Sequence, residues 1–140
     1  MPLDPVLVAD TRAWPRKVSV DLRSAEVDLS AEPPIPEDAL FHSQQAVEKA
    51  LKAYLTWRQH PFGKTHDLRV LAKACTALDP SLETQLAEAA PLTVYAWRFR
   101  YPGVDEAPEA AEASEALSIA KQTVAIVRSR LPAEVTADSF

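Results

Sequence analysis

Glycine is nearly missing from this 140-residue chain, which holds only Gly63 and Gly103. Tight hairpin turns draw on glycine for positive backbone torsions, so a turn-rich β architecture is disfavoured. Cysteine is scarcer still: Cys75 stands alone, and no disulfide can close within the chain. It falls on an apolar stripe with Leu71 and Leu78, and a buried structural thiol is expected there. No apolar run approaches the ~20 residues of a membrane span, so no membrane association is expected. The stretch from Met1 to Asp10 carries Pro2, Pro5 and two acids but no basic cluster, so no secretory signal is read and a cytoplasmic location is expected. A glycine-rich phosphate loop and a glycine-flanked serine are both wanting, which sets aside P-loop, Rossmann and serine-hydrolase sites.

What is present describes a helical protein. Apolar residues make up 47% of the chain, enough to exclude compositional disorder. The 12 prolines fall mostly between periodic segments, where they act as breakers. Net charge is −5, which argues against nonspecific nucleic-acid binding. The charge is uneven. Residues 40–73 carry Lys49, Lys52, Arg58, Lys64, Arg69 and Lys73 against Glu48 and Asp67, whereas residues 104–140 are dominated by acids. Solvated helix faces, a local anion site and charge matching between subunits would each account for this.

Five helical segments follow from the periodicity. The first spans about Thr11 to Leu29, with Trp14, Val18, Leu22, Ala25 and Leu29 on one stripe and Pro15 in its first turn. The second runs from about Glu37 to Gln59, with Leu40, Val47, Leu51, Tyr54 and Leu55 inward, and ends at His60-Pro61-Phe62-Gly63. The third starts near Thr65 as N-cap, with Asp67 in its first turn. The fourth opens on Asp79-Pro80 and is kinked or restarted by Pro91. The last opens at Asp105 or Ala107 and carries Ala113, Leu117, Ala120, Val124, Val127 and Leu131 along its seam. Short links favour antiparallel neighbours. The expected fold is all-α, an antiparallel up-and-down bundle of four to five helices over residues 10–131, with a flexible tail over 132–140.

Three groups of residues could carry chemistry. His42, Gln45 and Lys49 share one face of the second helix, which suits either an anion or partner site, or a hydrogen-bonded seam between helices or subunits. Lys64 and Thr65, with His66 and Asp67, sit at a helix start where exposed N–H groups could meet a phosphate; local capping is the alternative. Trp97-Arg98-Phe99-Arg100-Tyr101 alternates aromatic rings with guanidiniums, a combination that stacks on bases and grips phosphate, or else covers the end of the bundle. At helical spacing no second His or Cys accompanies any histidine, so no metal site is expected, and no cofactor is implied.

The order His42-x-x-Gln45-Ala46-x-Glu48-Lys49-Ala50-Leu51-Lys52, then His66-Asp67-Leu68, then Tyr95 and Arg100-Tyr101-Pro102, resembles the prokaryotic stand-alone HEPN type over about Trp14 to Leu131. The resemblance implies a bundle of four or five helices, commonly a homodimer, that works beside a minimal nucleotidyltransferase in toxin–antitoxin-like pairs. Some members are metal-independent endoribonucleases, using an Arg and a His with four to six residues between them near the last helix. This chain departs from that pattern. Asp105, Glu106 and Ala107 fill the window after Arg100; Gly103, Val104 and Asp105 fill the one after Arg98. Nor does Tyr101 stand in the Arg–His–Tyr order that partner transferases are expected to modify. The resemblance therefore implies a nucleotide- or RNA-associated binding protein, with no catalytic residue assigned. Ribonuclease activity through Arg98 or Arg100 with a distant histidine, and a purely structural interaction module, are the alternatives.

Overall fold

The computed structural model describes residues 2–103 and 106–137. Among them lie six α-helices and no strand. They are α1 (Pro5–Ser30), α2 (Pro36–Trp57), α3 (Leu68–Leu78), α4 (Glu83–Ala89), α5 (Ala110–Arg128) and α6 (Ala133–Thr136). A 3-10 turn (Pro80–Leu82) precedes α4, and a longer 3-10 segment (Ala90–Ala96) follows it. The expected all-α bundle is what forms.

Aspartate starts three of these segments in the same way. The carboxylates of Asp4, Asp67 and Asp79 accept from the backbone N–H groups of Val6, Arg69 and Ser81 at 2.9, 2.9 and 3.0 Å. Each satisfies one of the N–H groups that a helix start leaves without an internal partner. At two of the three starts, proline follows at the first helical position, where its missing N–H costs nothing. This corrects two expectations. The first helix begins at Pro5 rather than Thr11, so Pro15 lies inside it instead of in the first turn. Thr65 is not the N-cap of α3. Asp67 is, and the Thr65 hydroxyl accepts from the Asp67 N–H at 3.0 Å.

Side-chain pairs define the packing. Asp28 lies beside Asp38 and His42, Asp21 beside His42 and Lys49, and Trp14 donates its indole N–H to Thr56 at 3.1 Å. Positions fall along α1 as they rise along α2, so the two helices are antiparallel. The segment from Asp79 to Tyr95 runs antiparallel to α5 by the same logic: Asp79 pairs with Arg130, Gln85 with Thr123 and Tyr95 with Glu112. The central helix is α2, which packs against α1, α3 and α5. Its apolar side chains Leu40, Val47, Leu51, Tyr54 and Leu55 are buried, as are Val18, Leu71, Leu86 and Val127 from the surrounding helices. At about 1.5–3 kcal/mol for each large aliphatic side chain, this core is the main source of stability.

Three further differences have local causes. The expected tail from 132 to 140 is helical at Ala133–Thr136, because Val135 and Thr136 are buried and α6 packs on α1; 138–140 lie outside the described residues. α5 starts at Ala110, and Asp105, one of the two expected openers, is not described. α2 stops at Trp57, before the glycine expected to help end it. There His60 N–H donates to the Leu55 carbonyl and Gln59 N–H to that of Thr56, at 2.9 and 3.0 Å, closing a Schellman turn with Gln59 at φ 54°. A glutamine in this left-handed conformation carries a penalty of about 1 kcal/mol that glycine lacks. Gln59→Gly is therefore expected to raise stability by about 0.5–1 kcal/mol in urea denaturation. A loss of stability would contradict this reading of the turn.

Candidate functional site

With α2 surrounded, its polar residues need partners, and they separate onto two faces. On one face, His42 donates from Nδ1 to Asp21 Oδ1 at 2.8 Å, and Lys49 donates from Nζ to Asp21 Oδ2 at 2.6 Å. The Asp21 side chain is only 6% exposed and serves both donors at once. Its removal would leave two partly buried donors facing each other, at a cost of about 3 kcal/mol. On the other face, Glu48 accepts from His66 Nδ1 at 2.8 Å, from Gln44 at 3.2 Å and from Lys52 at 3.2 Å. Gln44 also donates to the His66 carbonyl at 3.3 Å, so the residues ahead of α3 are tied to the centre of α2.

These contacts sort the expected site residues. His42 and Lys49 come together, at Asp21, as the interhelical seam. Gln45 does not join them; it donates to the Gln44 side chain at 2.7 Å. His66 belongs to Glu48, and Lys64 is exposed. At the start of α3 the local capping alternative is seen: the N–H groups of Asp67, Leu68 and Arg69 donate to Thr65, Thr93 and Asp67.

The remaining expected residues gather at one end. The backbone turns after Ala96, with Phe99 at φ 67°. A bulky residue in this region is strained, and such strain concentrates at functional turns. Phe99 stacks on Tyr95 at 6.3 Å, and the Arg98 guanidinium lies 4.9 Å from the Phe99 ring. Tyr95 is fixed in turn by donating to Glu112 at 2.7 Å; burial, then that carboxylate, pushes its phenol up to about 12. The Arg100 guanidinium sits 3.9 Å from the centre of the Phe41 ring on α2. A cleft of about 440 Å³ opens here, lined by Ile35, Glu37, Asp38, Phe41, Phe99 and Arg100. Trp97 and Tyr101 are 56% and 78% exposed, an unusual degree for rings of that size.

The sequence reading missed Asp21, Asp28 and Asp38. Asp38 stands four residues before His42, and its Oδ2 is 3.4 Å from His42 Nε2, a spacing that was visible in the sequence. Asp21 and Asp28 come from α1, and no local pattern pairs them with α2. Burial, then the hydrogen bond and charge of Asp38, pushes Asp28 up to about 6 from 3.8, with His42 acting in the opposite sense. Cys75 is buried as expected, and burial pushes its thiol up to about 12, which leaves little reactive thiolate.

A carboxyl whose pKa is higher folded than unfolded holds its proton more tightly in the native state. Its contribution to stability is complete below pH 3.8 and is lost as pH rises through 6. Asp28→Asn escapes this loss. In buffers with EDTA, the variant is expected to be more stable than the parent at pH 8, with the gap closing by pH 4, as followed by urea denaturation. A gap independent of pH would contradict the assignment.

Among the described residues, no helix is long and apolar enough to cross a membrane. No curated protein and no solved structure gives a match. A family model described as the HEPN domain matches residues 11–130, from the second turn of α1 to just past the end of α5. That span holds both polar faces of α2 and the Trp97–Tyr101 turn. The chain belongs to the HEPN domain family, whose functions are associated with nucleotides and RNA.

Proposed function

We propose that this chain is a noncatalytic HEPN protein that binds a nucleotide or single-stranded RNA at the Trp97–Tyr101 turn. It would do so as a homodimer beside a nucleotidyltransferase, in a toxin–antitoxin-like pair. The observation that carries the reading is the pairing of exposed rings with guanidiniums at that turn. Arg98 and Arg100 supply charge for phosphate, and Trp97 and Tyr101 supply faces for bases. The Phe41 ring holds Arg100 in place, so less side-chain freedom is lost when an anion docks.

The placement of the histidines supports binding over cleavage: His42, His60 and His66 all precede Arg98 in the chain, and none fills the window after Arg98 or Arg100. An acid–base group for RNA cleavage needs reach to the reacting phosphate. Dimerisation and the transferase partner rest on the family likeness. Val6, Val20 and Val27, exposed along α1, offer apolar surface for such contacts.

Ribonuclease activity is the second reading, favoured by one feature. The His42 ring is 5.4 Å from the Phe41 ring that carries Arg100, so an imidazole and that guanidinium contact the same side chain.

One titration separates these readings. Labelled single-stranded RNA is mixed with purified protein in EDTA, and both bound and intact RNA are measured. Saturable binding is expected, weakened about tenfold or more by Arg100→Ala, with all RNA recovered intact. In size-exclusion chromatography with light scattering, a dimer and a complex with a co-encoded nucleotidyltransferase are expected. Cleavage abolished by Arg100→Ala would favour the second reading. Failure to bind RNA or ATP, together with a monomeric chain, would overturn the proposal.

A further inference from the structure

The binding reading leaves three side chains with metal-ligating chemistry unused. Asp28 lies in the last turn of α1, and Asp38 and His42 share one face of α2. One ligand atom from each lies within 4.8 Å of the others. Asp38 is also a wall of the Arg100 cleft, so the two features meet at this residue.

The histidine is oriented from behind. Its Nδ1 donates to Asp21 at 2.8 Å, so a neutral ring turns its Nε2 lone pair toward Asp38, 3.4 Å away. This is the carboxylate–histidine arrangement that fixes the tautomer of metal-binding imidazoles. Two ligands bound at about 2.1 Å in a tetrahedron stand about 3.4 Å apart, which matches the separation here. At 3.4 Å the contact is also longer than an ordinary N–H···O hydrogen bond of about 2.7–3.2 Å.

An independent observation comes from Asp28. The residue is 8% exposed, and its Oδ2 is buried with no hydrogen-bond partner among the described residues. A buried carboxylate oxygen without a donor is costly, and a cation offsets that cost. The last turn of α1 contains no basic residue, so the negative end of its dipole adds to the attraction. A cleft of about 350 Å³, walled by Val20, Arg23, Ser24 and Val27, opens onto Asp28, Asp38 and His42 and supplies an entry path.

We propose that Asp28, Asp38 and His42 bind one divalent transition-metal ion of the Zn²⁺ class, with Asp21 as the positioning residue behind the imidazole. One nitrogen and two carboxylates suit Zn²⁺ or Mn²⁺ rather than soft-metal chemistry, and Zn²⁺ is the tighter of the two. Three protein ligands leave a coordination position open toward the cleft. The site goes beyond the nucleotide-binding reading and does not depend on it.

The test uses the full chain, stripped with EDTA and exchanged into chelator-free buffer. Zn²⁺ is titrated by calorimetry, and Co²⁺ serves as an optical probe of the same site. One ion per chain is expected, with a rise in melting temperature. Asp38→Asn and Asp28→Asn should each weaken binding at least tenfold and remove the Co²⁺ visible bands. His60→Ala should change neither. Asp38 is half exposed, so its variant is expected to fold, and melting in EDTA verifies this for both. If no saturable site is found, if folded Asp38→Asn and Asp28→Asn bind as the parent does, or if His60→Ala abolishes binding, the proposal is overturned and protons alone hold the cluster together.

Discussion

The burial of α2 on nearly every side is the constraint from which the rest of the structure follows. A helix at the edge of a bundle can turn its polar residues to water. In α2, Ser43, Gln44, Glu48 and Lys52 are buried along with the aliphatic side chains, so each needs a partner inside the protein. Ser43 donates to the carbonyl one turn back, at 2.8 Å. Gln44, Glu48 and Lys52 form one network with His66, while His42 and Lys49 share Asp21. Aliphatic packing supplies most of the stability, but it is insensitive to small rotations of α2. The polar pairs are directional, and they set the register of α1 on α2.

That register has consequences at the end of the bundle. With Asp21 opposite His42, the last turn of α1 brings Asp28 to the first turns of α2, beside Asp38. Phe41, the neighbour of His42, then meets Arg100, and the strained backbone at Phe99 is anchored between Tyr95 and this contact. A carboxylate and imidazole cluster and an aromatic and guanidinium corner therefore adjoin, with Asp38 common to both clefts. Opposite charges are therefore held close together at this end of the bundle, where the two proposals above would place a cation on one side and an anion on the other.

Much of the fold was legible because its signals are local. The stripes Val18 and Ala25, Leu40 to Leu55, Leu71 and Cys75, and Ala113 to Val127 are buried as their periodicity implies. The Asp-Pro start at 79–80 is readable from the pair itself; the same pair at 4–5 lies ahead of the periodic stripe that begins at Trp14, so the stripe alone places the start of α1 too late. Gln59 could not be read as a helix stop, because its left-handed conformation is imposed by the turn rather than preferred by the residue. Burial of Val135 made a helical turn where a short polar segment had suggested fraying. The site was half legible. The spacing of His42 and Lys49 pointed to one shared face, and Arg100 with Tyr101 to one corner. What that face meets is a long-range fact: Asp21 lies 21 residues before His42 in the chain, and no periodicity links the two.

In the binding reading, the His42 imidazole is held by the carboxylates of the α1–α2 seam and is not an acid–base companion of Arg100. Nitrogen-15 NMR of the histidine rings tests this most directly. With EDTA present, His42 should show a slowly exchanging Nδ1–H that disappears in Asp21→Ala and persists in Arg100→Ala. A His42 ring with unprotonated Nδ1, or one whose Nδ1–H is lost when Arg100 is removed, would contradict it.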